Sequence, residues 1–212
     1  MLLGFDPGGI GQFGWAVCEY KDTLPLPIVQ TGISDHADGA VVAAFQAAGA
    51  PGTVCAAGID APLFWVASGT RRADEVLRSA LRRKGAPSPS GTVQEINSLR
   101  GACLVQGILA ALLLRRRVPE LRVSEAHPKA LLWLLAVASS QMHPRQIMLA
   151  DLRSYITGSA GTSEHERDAC LGILSAWAMV SAAGGWSDLL VEETQHILPV
   201  PKPLGYWMPL KD

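Results

Sequence analysis

Leu2-Leu3-Gly4-Phe5-Asp6-Pro7-Gly8-Gly9 opens the chain with an apolar run stopped by an acid, a proline and two glycines. A short apolar run bounded by turn formers reads as a buried strand. The same design returns in Val54-Cys55-Ala56-Ala57-Gly58-Ile59, which runs into Asp60-Ala61-Pro62. It returns again where Leu121-Arg122-Val123-Ser124 meets Glu125-Ala126-His127-Pro128. Each of the three strands ends in a carboxylate, with a proline following within a few residues. In a sheet containing parallel strands the carboxyl ends line one rim, where ligands gather. Asp6, Asp60 and Glu125 are therefore expected to converge.

The residues between these landmarks place them in a fold. Residues 13–20 (FGWAVCEY) are aromatic and β-branched and read as a second strand. Residues 27–33 make a third after the Pro25/Pro27 bend, so the chain starts as an antiparallel meander. Residues 39–48 are alanine-rich and stop at Gly49, as a helix does. Thr70 is placed to cap a helix reaching about Lys84, with acids early and bases late. Residues 86–91 (APSPSG) read as a loop, and residues 92–117 as a helix with a break near Gly101 or Gly107. Further helices are expected over residues 129–138, 144–155 and 163–183. The proline-rich tail (Pro199, Pro201, Pro203, Pro209) is expected to cross the surface in extended form. This order predicts an α/β fold with a mixed five-stranded sheet and helices on both faces, as one domain over residues 1–212.

Composition narrows the class. Of 212 residues, 49% are hydrophobic and 17% charged, enough for a sizeable core and unlike a disordered chain. The net charge of −1 lacks the basic surplus of a protein built only to coat nucleic acid. Cys18, Cys55, Cys103 and Cys170 lie too far apart for zinc-ligand spacing and read as reduced thiols. The N-terminal stretch reaches Asp6 too soon for a signal peptide, and the apolar run at residues 104–114 is too short to span a bilayer. A cytoplasmic protein with no membrane partner is expected.

Carboxylates gathered at one rim repel each other unless a cation sits among them. Hard divalent cations such as Mg2+ or Mn2+ suit an oxygen donor set. A fourth acid, Asp168, lies in the first turns of the last helix, three residues after His165, so both share one helical face. Singly, each such acid also makes a turn former or a helix cap.

Taken together, GFDPGGIGQFGWAV, GIDAPLFW followed by GTRRADEVLR, SEAHP and HERDACLGILSAWA resemble the family of predicted ribonuclease H-like nucleases of unknown function. The resemblance runs over nearly the whole chain, in order: a strand Asp, Asp-x-Pro, an Arg-x-x-Asp segment, Glu-x-x-Pro, then a helix acid followed by Ala. The His165-x-x-Asp168 arrangement is also similar to Holliday-junction resolvases of that superfamily. The resemblance implies a ribonuclease H-like fold and metal-dependent phosphodiester hydrolysis. It assigns catalytic roles to Asp6, Asp60, Glu125 and Asp168, and metal binding to Asp6, Asp60, Asp168 and His165. Arg72 and Asp74 fall in the segment after GIDAP, where Arg72 is expected to meet a phosphate, and Trp65 is placed to stack a base. Nucleic acid is the expected partner, and a homodimer is compatible with the sequence.

Other signals weigh less. Gly9-x-Gly11-x-x-Gly14 matches a dinucleotide fingerprint in form, but the following residues read as a strand where that motif needs a helix. His127 neighbours Glu125 and belongs with the candidate site. Arg115, Arg116 and Arg117 read as a solvated helix end. A partner-binding domain without catalysis and a hydrolase of small phosphoesters remain the alternatives to a nuclease.

Overall fold

All five apolar runs form strands in the computed structural model, which describes residues 1–66, 70–94, 101–138, 142–158, 161, 163–194 and 196–210. They are β1 (Leu2–Asp6), β2 (Phe13–Cys18), β3 (Leu26–Ser34), β4 (Ala56–Ile59) and β5 (Arg122–Glu125). β1, β2 and β3 make the antiparallel meander. β4 lies parallel to β1 on the other side, and β5 parallel to β4. Parallel neighbours need crossovers. Between β3 and β4 runs α1 (Ala37–Ala48); between β4 and β5 run α2 (Arg72–Arg83), α3 (Pro89–Thr92) and α4 (Gly101–Arg117).

The sheet has eight strands, not five. The order is β6-β3-β2-β1-β4-β5-β8-β7, with β6 (Ile156–Thr157), β7 (Trp186–Asp188) and β8 (Leu204–Pro209) added outside the first five. The tail does not cross the surface: β8 pairs parallel with β5 and antiparallel with β7. Pro199, Pro201 and Pro203 mark the approach to a strand whose middle, Tyr206-Trp207-Met208, is aromatic and apolar, and Pro209 ends it. That approach has few sheet partners for its carbonyls, and Arg115 supplies them. The Arg115 guanidinium donates to the carbonyls of Pro119, Pro201, Lys202 and Pro203 at 2.7–3.1 Å. Arg115 is thus a buried staple and not part of a solvated helix end.

Three helices also differ from expectation. Thr70 does not cap α2; the backbone N–H of Ala73 is met by the Glu193 carboxylate at 2.8 Å. The predicted helix over residues 144–155 is two 3-10 turns leading into β6. After Pro128, α5 (Pro128–Leu134) stops early because Ala136 takes a left-handed φ of 57° and the chain folds back, Val137 and Ala138 donating to the Leu132 carbonyl. Residues 95–100, within the predicted helix 92–117, lie outside the described residues, and α3 occupies part of the predicted loop.

The last helix, α6 (Glu164–Ser181), lies across β1, β2, β4 and β5. Ser163 caps it: its hydroxyl accepts from the Glu166 N–H while Glu166 reaches back to the Ser163 N–H. The sheet receives this helix at glycines. A Cβ on Gly4, Gly14 or Gly58 would collide with the backbone carbonyls of Ala169, His165 and Gly172 respectively. These contacts, at helical spacing along α6, fix which of its faces meets the sheet.

Candidate metal centre

The site is built by side-chain alternation along the strands. Gly4 and Gly58 are level in the parallel pair β1/β4, and both face α6. Side chains repeat their face every second residue. Asp6, two after Gly4, and Asp60, two after Gly58, therefore emerge at the same level, at the rim and toward α6. His165 and Asp168 come from the first turns of α6. His165 Nδ1 lies 2.6 Å from Asp6 Oδ2. The structure brings Asp6, Asp60, His165 and Asp168 into one neighbourhood.

Glu125 follows a different parity. In the β4/β5 register it pairs with Ile59, not with Asp60, so it points to the opposite face of the sheet. There it is fully buried and meets Arg71, whose guanidinium contacts Oε1 at 2.7 Å and Oε2 at 3.0 Å. Glu125 also accepts from the Leu63 N–H at 2.9 Å. Arg71 binds Asp74 with two further hydrogen bonds, at 2.7 and 2.8 Å, and lies over the Phe64 ring, 4.4 Å from its centroid. Asp74, Glu125 and His127 bring ligand atoms within 4.8 Å of one another, a spacing a metal ion can use. Arg71 supplies one positive charge that the two carboxylates share, and His127 is the further basic group beside them. Burial works against the ionised Glu125, but Arg71 and His127 outweigh it and hold its carboxyl below the usual range.

Arg71 is the arginine that reaches the carboxylates. Arg72 is exposed and pairs with Glu75 at 3.2 Å. The Arg-x-x-Asp spacing of Arg71 and Asp74 is the signal that separates them. Trp65 is 37% exposed and exchanges two backbone hydrogen bonds with Ile197 at 2.7 and 3.0 Å.

The rim cluster has the opposite character from the Glu125 cluster. Asp60 is pushed up to about 8, first by burial and then by the charge of Asp6. Asp168 is pushed up to about 6, again by burial and then by Asp6. Asp168 is held by Arg167, its Oδ1 accepting from Nε at 2.8 Å. Lys129 Nζ stands 3.2 Å from Glu164 and 3.9 Å from Asp168. Burial pulls the Lys129 ammonium down, but Asp168 and Glu164 win and raise it. Among the described residues, neither Asp6 nor Asp60 has a lysine or arginine partner. His165 is raised by its hydrogen bond to Asp6. His127 bridges the clusters, with Nε2 at 3.1 Å from Glu125 and Nδ1 at 4.0 Å from Asp60. A pocket of about 250 Å³ opens over this rim, lined by Asp6, Asp60, Pro62, Thr92, His127 and Lys129 among others. Among the described residues, Trp65 is not part of that lining.

The donor set is therefore carboxylate oxygen, with only histidines as basic partners of Asp6 and Asp60 among the described residues, and it suits a hard divalent cation. Sequence comparison adds a family. Residues 6–193 match the family described as "Protein of unknown function (DUF429)", from the first rim aspartate to beyond α6. The chain belongs to this family. No curated protein matches it. Among solved structures it is similar to the "Thermus thermophilus RuvC structure", at 16% identity over 85% of this chain and 96% of that one, with a TM-score of 0.43. Among the described residues, no helix is long and apolar enough to cross a membrane.

Proposed function

We propose that the chain is a ribonuclease H-like, divalent-metal-dependent nuclease that hydrolyses phosphodiester bonds of nucleic acid in the cytoplasm. The observation that carries this reading is the pair Asp6 and Asp60, level on neighbouring parallel strands, facing one way, and without a lysine or arginine partner among the described residues. The strand order β3-β2-β1-β4-β5, with β2 antiparallel to β1 and β3, supports the fold assignment. Asp6 and Asp60 would hold Mg2+ or Mn2+, with Asp168 completing the set from α6, and such an ion would supply water activation and charge stabilisation at the phosphate. His165 orients Asp6 through its Nδ1, and the Arg71–Glu125–Asp74 unit fixes the wall on which His127 stands.

The test is Asp6→Asn. Manganese-dependent cleavage of DNA or RNA is expected to disappear while the circular dichroism spectrum and melting cooperativity persist. Full activity in this variant sinks the assignment. Failure of the wild-type chain to bind manganese in the millimolar range favours a partner-binding domain without catalysis.

The pocket volume and the net charge of −1 favour a second reading, a hydrolase of small phosphoesters with the same residues. Rates that rise with oligonucleotide length and fall steeply with salt belong to a nuclease. Rates insensitive to both belong to the second reading.

A further inference from the structure

His127 occupies the cap position of α5, but its side chain makes no capping hydrogen bond. The ring addresses the two acid clusters instead. Nε2 lies 3.1 Å from Glu125 Oε1, and Nδ1 lies 4.0 Å from Asp60 Oδ1. The Tyr206 ring packs beside it, the centroids 5.4 Å apart. One residue back, the Ala126 N–H donates to the Ile59 carbonyl at 2.7 Å and holds this segment against the end of β4, next to Asp60. Backbone and side-chain contacts together fix the ring in one orientation, with 12% of the side chain left exposed.

The two ring nitrogens are therefore unequal. Glu125 is buried against Arg71 as a carboxylate, which accepts hydrogen bonds and donates none. Nε2 carries the proton of that contact. Nδ1 is the nitrogen turned toward Asp60, and His127 lines the same pocket as Asp6 and Asp60. At 4.0 Å from Oδ1, Nδ1 is too far away for a direct hydrogen bond. A separation of this kind suits a water, which can bond to Nδ1 and still lie beside Asp60.

We propose, on the metal-centre reading above, that His127 positions the water that attacks the phosphodiester, its Nδ1 accepting a hydrogen bond from that water beside Asp60. This gives the buried Arg71–Glu125 pair a part in the chemistry. The pair holds Nε2 and thereby sets where Nδ1 points.

Two amides separate the nitrogens, because glutamine reaches as far as Nε2 and asparagine only as far as Nδ1. His127→Gln keeps the Glu125 contact and gives up Nδ1. Without metal it is expected to melt like the wild type, and in calorimetric titration to bind manganese like the wild type. Its kcat on an oligonucleotide is expected to fall about 100-fold at unchanged KM, the penalty of a misplaced reactant. His127→Asn is expected to melt lower, because Glu125 loses a partner, and to turn over faster than His127→Gln. The same fall in His127→Gln is expected on an oligonucleotide with sulfur in place of its leaving oxygens, since a thiolate departs without a proton. A fall confined to the oxygen substrate overturns the inference and makes His127 a donor to the leaving group. Wild-type kcat in His127→Gln overturns it too, as does a loss of manganese binding that accounts for the loss of rate. Each of these leaves the Asp6–Asp60 centre standing, whereas a wild-type chain without manganese-dependent cleavage removes the metal-centre reading itself.

Discussion

Glu125 gives both carboxylate oxygens to Arg71, at 2.7 and 3.0 Å, and neither side chain meets solvent. The contact joins the end of β5 to the start of α2, 54 residues apart in the chain. It turns an acid at a sheet rim into a structural element and leaves the open face of the rim to Asp6 and Asp60. Arg71 serves Asp74 in the same way, so two buried carboxylates share one guanidinium.

Arg71→Met is therefore expected to be among the most damaging single substitutions in the chain. It strands two buried charges, and breaking a buried pair from one side costs about 3–5 kcal/mol. Arg72→Met, one residue away but exposed beside Glu75, is expected to change stability by less than about 0.5 kcal/mol. Urea denaturation of both variants checks the contrast; equal midpoints would remove the structural role given to Arg71.

The rim aspartates set an unusual pH dependence. Burial and the Asp6 charge push Asp60 up to about 8 and Asp168 up to about 6, against roughly 3.9 for a free aspartate. A carboxyl raised by folding binds its proton more tightly in the native state, so stability falls as pH rises. For these two groups the loss begins near pH 4 and is complete above pH 8. His127 and His165, raised as well, act in the same direction, their stabilisation fading as pH rises through their folded values. Glu125, lowered, contributes stability that is lost only in more acidic solution. Metal-free protein is expected to melt at a higher temperature at pH 5.5 than at pH 8. Millimolar manganese is expected to raise the melting temperature more at pH 8, because it binds the ionised pair. A metal effect of equal size at both values would contradict the assignment of Asp60 as a ligand.

The fold was legible where a strand carries its own punctuation. The runs ending in Asp6, Asp60 and Glu125, the meander and the capped last helix all follow from local pattern. β8 was hidden because Pro199, Pro201, Pro203 and Pro209 read as extended surface, and its pairing depends on a distant Arg115. Within the site, parity separates the acids. Three acids that look alike in sequence differ by one residue of register, and one residue is the difference between the two faces of a sheet. A signal was present: Gly4-Phe5-Asp6 and Gly58-Ile59-Asp60 share Gly-x-Asp, whereas Val123-Ser124-Glu125 does not. The glycine clears a path for α6, and the acid two places on follows it to the same face. Spacing likewise separates Arg71 from Arg72: only Arg71 stands three residues before Asp74, and it is the one that binds the buried carboxylates.

On the metal-centre reading, His165 acts on the site through Asp6. Its Nδ1 is committed to Asp6 at 2.6 Å, which fixes the carboxylate's orientation. Removing such a support from a metal site lowers affinity by roughly 10–100-fold. His165→Ala is expected to weaken manganese binding by that amount in calorimetric titration, whereas Asp6→Asn eliminates it. Equal losses in the two variants would make His165 a ligand in its own right.

Gly58 couples the fold to the chemistry. It lies directly beneath α6 at Gly172, and a Cβ there would overlap the Gly172 carbonyl. The obstacle is backbone on backbone, with no flexible side chain to yield, so the helix itself must lift or slide. Overpacking of this kind costs about 1–3 kcal/mol, and Gly58→Ala belongs at the upper end because both partners are regular structure. The displacement acts on Asp168 and His165, one and two helical turns before Gly172. Gly58→Ala is therefore expected to weaken manganese binding at temperatures where the chain is still folded, although the glycine touches no ion. Gly52→Ala, where an added Cβ meets nothing within 4 Å, controls for the substitution itself. A Gly58→Ala variant that loses stability but binds manganese like the wild type would show that the seating of α6 does not govern the site.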